Sequence, residues 1–449
     1  MRAFRLLSCA FAIIFSPVGI AQEARNPRVE AVINSLSETR IHGTVARLVS
    51  FGTRHTLSET ASESRGIGAS RRYLAAEFSA LSKLPDSRLQ PFEDRFTAEP
   101  GPRIPKAVEL INVGAILPGL DAARAKEAIV LTGHYDSRAS SALDAASDAP
   151  GAVDDGSGTA LTLELARAMA AEKPAVSVYF VAVAGEEQGL VGSTHLAKRL
   201  KAEGIRVLAM VSVDIAGNTE GQDGVKDNVH ARLWSEGVGA SETPEERRLR
   251  QALGNENDGA GREWARYVER TAKRYVENLD LLVMLRRDRI ARGSDHMSFA
   301  AEGFPAICLR EMHEHYDRQH QDVRTANGRS YGDDLAHFDA AYTTKLAKGL
   351  GAAIWQLSHA PQAPVNVTLG GAVSPDAKLR WTLPDDARAT TIHLFRRRAD
   401  SVAWQRIQRF PKTGALVLKD VPPDNEVFAV STVDADGNES LPAYPSKLE

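Results

Sequence analysis

Hydrophobic positions recur at the helical period from Val29 to Leu48 and again from Ala69 to Leu81, the spacing of helices that bury one face. Residues 22–100 therefore read as helical, with a polar stretch at Gly52–Gly68 between the two patterns. The pattern then changes. Val108–Leu117, Ala128–Thr132, Val176–Ala184 and Val207–Asp214 are short apolar runs, and the helical period returns between them at Ser157–Glu172 and Gly192–Ala202. Such alternation predicts an α/β fold, a mixed and mostly parallel sheet sandwiched by helices. Residues 216–262 are polar and Gly-rich and read as an elaborated loop. Glu263–Tyr275 reads as a helix, Phe304–Leu309 as a short strand and Ala340–Leu357 as a closing helix.

After Pro361 short strand-like segments take over: Lys378–Leu383, Thr391–Arg397, Ala415–Leu418 and Val427–Val433. Turn signals at Pro422-Pro423-Asp424 and Asp436-Gly437-Asn438 separate them, which predicts a small all-β sandwich over residues 361–449. Pro364, Trp381 and the run Phe428–Asp434 followed by Gly437-Asn438-Glu439-Ser440 give this segment a resemblance to a fibronectin type III module.

The first 21 residues have the layout of an export signal. Arg2 and Arg5 precede an apolar Leu6–Phe15 that is too short to span a bilayer, and Gly19 and Ala21 suit a cleavage site. Cleavage after Ala21 leaves a catalytic domain over 22–360 and delivers the product to periplasm or medium. Cys9 follows Leu6-Leu7-Ser8 in the manner of a lipoprotein signal, but cleavage there leaves almost no apolar segment. The mature chain then keeps only Cys308, so it forms no internal disulfide. A formal net charge of −3 gives no electrostatic case for nucleic acid. The Arg-rich runs Arg247–Arg250 and Arg286–Arg292 have acidic neighbours and read as solvated faces. Nothing in the sequence sets the oligomeric state.

Candidate chemistry sits where the apolar runs end, the side of an open α/β sheet on which ligands bind. Val176–Ala184 stops at Gly185-Glu186-Glu187-Gln188-Gly189, and unpaired charge beside a buried strand is costly. Adjacent glutamates point in different directions, so one suits a metal and the other a proton. Asp214 ends the next run. His134 and Asp136, two apart on an extended segment, face the same way. A ligating histidine is commonly oriented by such a carboxylate. Gly151–Gly158 holds Asp154 and Asp155 without a following Lys, which excludes a P-loop. Three histidines, His313, His315 and His320, compete for one further ligand role.

In this order the fragments GHYDS, PGAVDDGSG, GEEQGLVGS, a strand-ending Asp, SDH and a late His resemble the M28 family of zinc peptidases, across residues 45–355. The resemblance implies a di-zinc aminopeptidase acting on peptides with a free N-terminus. One Zn2+ would be held by His134 and Asp214, the other by Glu187 and His320, with Asp154 bridging. Glu186 would be the general base and Asp136 would orient His134. Ser294, Asp295 and His296, with Arg292, would line the pocket or support the ligands. The chain departs from the family pattern at Val153, where many relatives carry Asp, and in the residues after the late His. Aligning Thr325 favours His320 over His313 and His315. Three other readings remain: a glutaminyl cyclase of the same fold, a carboxypeptidase whose Arg286–Arg292 run binds a substrate carboxylate, and a binding protein. In the last, a degenerate peptidase fold presents the sandwich to a cell surface or polysaccharide.

Overall fold

The computed structural model describes residues 25–448. The expected signal segment 1–21 and Cys9 lie outside the described residues. Helices α1 (Pro27–Asn34), α2 (Glu38–Val49) and α3 (Gly66–Leu81) come first. The Asn26 and Ser37 side chains cap α1 and α2 by accepting from the amides of Arg28 and Arg40. There follow β1 (Gln90–Ala98), β2 (Val108–Leu117), β3 (Glu127–His134), α4 (Gly156–Met169), β4 (Ser177–Val183), α5 (Val191–Ala202) and β5 (Arg206–Val213). Then come β6 (His230–Ser235), α6 (Pro244–Ala252), α7 (Ala260–Tyr275), β7 (Asp280–Met284), α8 (His296–Ala301) and β8 (Ala306–Glu311). A ribbon of β9 (Arg324–Ala326) and β10 (Arg329–Tyr331) precedes α9 (Ala340–His359).

One eight-stranded sheet, in the order β1-β2-β4-β3-β5-β8-β6-β7, organises the chain up to α9. Its centre, β4-β3-β5-β8, is parallel. The pairs β1-β2, β2-β4 and β6-β8 are antiparallel. Alternate residues of β3 enter different cores. Ile129 and Leu131 join Leu161, Leu165 and Leu350 on one face. Ala128 and Val130 join Leu196, Leu200 and Phe299 on the other. Helices therefore cover both faces. Among the described residues no helix is long and apolar enough to cross a membrane.

Three strands depart from the sequence expectation. Gln90–Ala98, expected within a helical region, is the edge strand β1, paired antiparallel with β2. Only Asp94 and Ala98 on it are buried, so its mostly polar pattern carries little strand signal. The expected loop 216–262 contains β6, which enters the sheet, and α6, which buries no residue. The short β7 pairs with β6 at the far edge. Elements that bury one narrow face leave no clear period to read.

Beyond α9 lie β11 (Val365–Gly370), β12 (Ala377–Thr382), β13 (Thr391–Arg398), β14 (Arg406–Pro411), β15 (Ala415–Leu418), β16 (Glu426–Val433) and β17 (Lys447–Leu448). They form a four-stranded sheet, β15-β12-β11-β17, and a three-stranded one, β14-β13-β16. Val367, Leu379 and Trp381 from the first meet Ile392, Leu394 and Phe428 from the second in one core. Helix α7 holds this unit by buried polar contacts. Arg266 donates to the Val402 carbonyl at 2.7 Å and Tyr267 to that of Glu439 at 2.8 Å. Arg270 pairs with the Glu439 carboxylate, and the Trp404 indole donates to Glu263 at 3.0 Å.

Candidate functional site

The carboxyl ends of β3, β4 and β5 bring their polar residues together because α4 starts almost against the sheet. A Cβ on Gly158 would meet the Val213 carbonyl at 2.1 Å, and one on Gly133 would meet the Gly158 carbonyl carbon at 2.4 Å. Only glycine permits that approach. Asp155 caps α4 through the Gly158 amide at 2.9 Å, and its other oxygen accepts the His134 amide at 2.9 Å. The preceding turn is fixed from a distance. Asp333 accepts the amides of Val153 at 2.9 Å and Asp154 at 2.7 Å, which aims the Asp154 carboxylate at the strand ends.

His134, at the end of β3, lies with Nε2 3.2 Å from Asp154 Oδ1 and 3.7 Å from Asp214 Oδ1. His320 Nε2 lies 3.1 Å from Asp154 Oδ2 and 3.0 Å from Glu187 Oε1. Asp154 thus turns one oxygen to each histidine. The groups His134–Asp154–Asp214 and Asp154–Glu187–His320 each offer three donor atoms within 4.8 Å of one another. His134 Nε2, Asp214 Oδ1 and Glu187 Oε1 are buried without a hydrogen-bond partner. Buried polar atoms are rarely left so, and imidazole nitrogen with carboxylate oxygen is the donor set zinc takes. The residues fit a metal at both groups.

Of the other histidines in the segment, His313 faces Asp227 at 3.7 Å. His320 is the one that reaches the centre. Asp136 lies beside His134, with its Oδ1 3.7 Å from Nδ1. The His134 Nδ1 hydrogen bond, 3.1 Å, goes to the Asp136 main-chain carbonyl. The Asp136 carboxylate instead accepts the amides of Glu186 and Glu187 at 3.2 and 3.1 Å and the Thr56 hydroxyl at 3.0 Å. It holds the turn that presents both glutamates. Glu186 belongs to neither donor group.

The pocket candidates separate. Ser294 and Asp295 are buried. Burial raises Asp295 to about 7 against the pull of His134, with Asp214 adding to the rise, so it feels the charges of the centre. His296 donates from Nε2 to the Arg287 carbonyl, 2.9 Å away, and faces Asp288. Arg292 pairs with Glu314 at 2.9 Å and reaches Gln319 at 3.2 Å. A third donor group, Asp288–His296–Cys308, is also buried. There Arg310 Nη2 lies 3.9 Å from Asp288 Oδ2, so a side-chain cation already faces that carboxylate.

Arg310, Asp333 and Thr56 are the contributors that sequence reasoning missed. Arg310 is fully buried and holds Asp214 Oδ2 at 2.5 Å, which leaves Oδ1 free toward His134. Its signal was present: a charge inside the apolar run of β8, as unusual there as the two glutamates after β4. Asp333 and Thr56 sit in polar stretches where nothing distinguishes them.

Charge is strongly organised here. Burial alone would lower His134, but the facing carboxylates of Glu186, Asp154 and Asp214 hold it well above the usual imidazole range. Burial is likewise outweighed at His320, which Glu187 and Asp154 raise to about 10. Asp154 stays well below the ordinary carboxylate range despite burial, because both imidazoles face it. Glu186 moves the other way. Burial, Asp214 and Glu187 raise it well above its usual value, against His134. A metal must displace the protons on both histidines. We expect release of about one proton or more per bound ion at pH 7, measured by calorimetry in two buffers of different ionisation enthalpy. Affinity at the His320 group should rise with pH until that imidazole deprotonates, near 10. Binding without proton release would contradict the charge assignment.

Comparison with known proteins bears on the family of the chain. The profile of Peptidase family M28 matches residues 112–344. A probable zinc metalloprotease of Leptosphaeria maculans is 36% identical over 429 residues, covering 95% of this chain and 99% of that protein. Another, from Pyrenophora teres f. teres, is 35% identical over 435 residues, covering 96% and 89%. Among solved structures, the Legionella pneumophila LapA aminopeptidase superposes with a TM-score of 0.51 at 19% identity, covering 78% of this chain and 80% of that one. LapB from the same organism gives 0.51 at 20% identity, covering 76% and 77%. At such identities the likeness concerns the fold. The profile match and the relatives aligned along nearly the whole chain show that this protein belongs to peptidase family M28.

Proposed function

We propose that the protein is an exported aminopeptidase that works with two zinc ions. The observation that carries this reading is the sharing of Asp154 between two donor groups, His134 with Asp214 and Glu187 with His320. When bound there, zinc supplies a Lewis acid that acidifies water and polarises a peptide carbonyl. Glu186 takes a proton from the attacking water. The water oxygen bonds to the peptide carbon, the C–N bond breaks, and Glu186 hands the proton to the leaving amine. Its raised carboxyl supports that role, since a carboxylate with a raised pKa takes up a proton more readily than an ordinary glutamate. The buried carboxylates around it also offer a favourable place for a substrate α-ammonium, which supports removal of N-terminal residues. Arg2, Arg5 and the apolar Leu6–Phe15 support export. The packed four- and three-stranded sheets support a fibronectin type III-like module after residue 360.

A leucine-initiated peptide, offered with a free and with an acetylated N-terminus, tests the reading. The free peptide should release leucine and the acetylated one should not. A chelator should stop the reaction and added zinc should restore it. Equal cleavage of both peptides would contradict aminopeptidase action. Ammonia from a glutamine-initiated peptide, with no free amino acid, would mark a cyclase instead.

A further inference from the structure

We propose that Glu314 is a positioning residue that sets the affinity of the Asp154–Glu187–His320 group, an inference that rests on the two-ion reading above. The three donors of that group are held very differently. Asp154 is fixed by Asp333 at the start of α4, and Glu187 by Asp136 at the end of β4. His320 lies in the loop after β8, with φ of 50°. The left-handed region is uncommon for a residue with a side chain and persists only where the surroundings impose it. Its side chain keeps 31% of its surface exposed, so packing alone does not fix it.

Glu314 supplies the anchor. Its carboxylate is buried and accepts from Arg232 at 2.9 Å, Arg289 at 3.0 Å and Arg292 at 2.9 Å. Three arginines from two other segments therefore converge on the loop six residues before His320. Arg292 then reaches forward to the Gln319 side chain, 3.2 Å away, beside the histidine itself. The middle of the loop is tied to the Gln222 side chain through the amides of Tyr316 and Asp317, and beyond His320 the exposed Ser140 and Asp322 are joined by reciprocal hydrogen bonds of 3.1 and 3.0 Å. Removing the Glu314 charge leaves buried arginines competing for new partners, which is costly and shifts the loop. The other metal group has no ligand on that loop and is the less directly affected. Arg310 holds Asp214 directly at 2.5 Å and reaches the Glu314 cluster at second hand, through the Gly293 carbonyl it shares with Arg289 and through Asp288, 3.9 Å away.

The test is a zinc titration of metal-free wild type, Glu314→Gln and Arg292→Met, followed by calorimetry. Wild type should take up two equivalents. Glu314→Gln should bind the first near wild-type affinity and the second about 10–100-fold more weakly, the usual effect of losing an outer partner of a ligand. Arg292→Met removes the link to Gln319 and one of the three arginines on Glu314, leaving Arg232 and Arg289 in place. It should weaken the second equivalent in the same direction, and it decides the matter if Glu314→Gln does not fold. General destabilisation would weaken both equivalents together. Equal weakening of the two, or wild-type affinity for both in the two variants, overturns the proposal while the two-ion reading stands. A wild type that binds one equivalent overturns both.

Discussion

Glu186→Gln should keep both metal groups loaded and lose turnover by about 10²–10⁴-fold, the usual worth of a positioned general acid–base. Glutamine has nearly the same shape, and the Glu186 amide that anchors the turn to Asp136 is untouched. Glu186 contributes no donor atom to either group, so the ligands need not move. What disappears is the proton carrier. Burial and the carboxylates of Asp214 and Glu187 raise the wild-type group well above an ordinary glutamate. Its ionisation therefore governs the acid side of the pH–rate profile, where activity rises with pH as the base form appears. That limb should be missing from whatever activity Glu186→Gln retains. Turnover at the wild-type rate, with metal content unchanged, would mean that another group moves the proton.

Asp154→Ala should have the largest effect on metal. Its two oxygens serve different histidines, Oδ1 at 3.2 Å from His134 and Oδ2 at 3.1 Å from His320. Without it the groups shrink to His134 with Asp214 and Glu187 with His320. Two protein donors fall short of the three that catalytic zinc sites use. Both equivalents should wash out during a dialysis that leaves wild type loaded. Turnover should fall by more than the ~100-fold that loss of an outer partner of a ligand can cost. Full zinc occupancy in this variant would remove the shared carboxylate from the account. Because the Asp154 main chain is held by Asp333, the alanine variant should still fold.

Much of the centre was legible because charge at the end of a buried strand is conspicuous. His134, Glu186, Glu187 and Asp214 each follow an apolar run, and the structure gathers the three runs side by side as β3, β4 and β5. Choosing His320 from three histidines needed the ordered resemblance, since His313, His315 and His320 share one polar loop. The supporting residues were harder to see. Asp333 and Thr56 act through contacts across long stretches of chain, 179 residues from Asp333 to Asp154 and 80 from Thr56 to Asp136. No local pattern encodes such contacts. Arg292 was expected to line the pocket or support the ligands, and its partners, Glu314 and Gln319, could not be read from the sequence. Strands β1, β6 and β7 lie at or next to the sheet edges, where one half-polar face blurs the alternation that marks a central strand.

Anomalous-difference density from crystals of the zinc-loaded protein, collected either side of the zinc absorption edge, tests the central claim most directly. The account predicts two peaks, one among His134, Asp154 and Asp214 and one among Asp154, Glu187 and His320. A single peak, or peaks remote from Asp154, would contradict it.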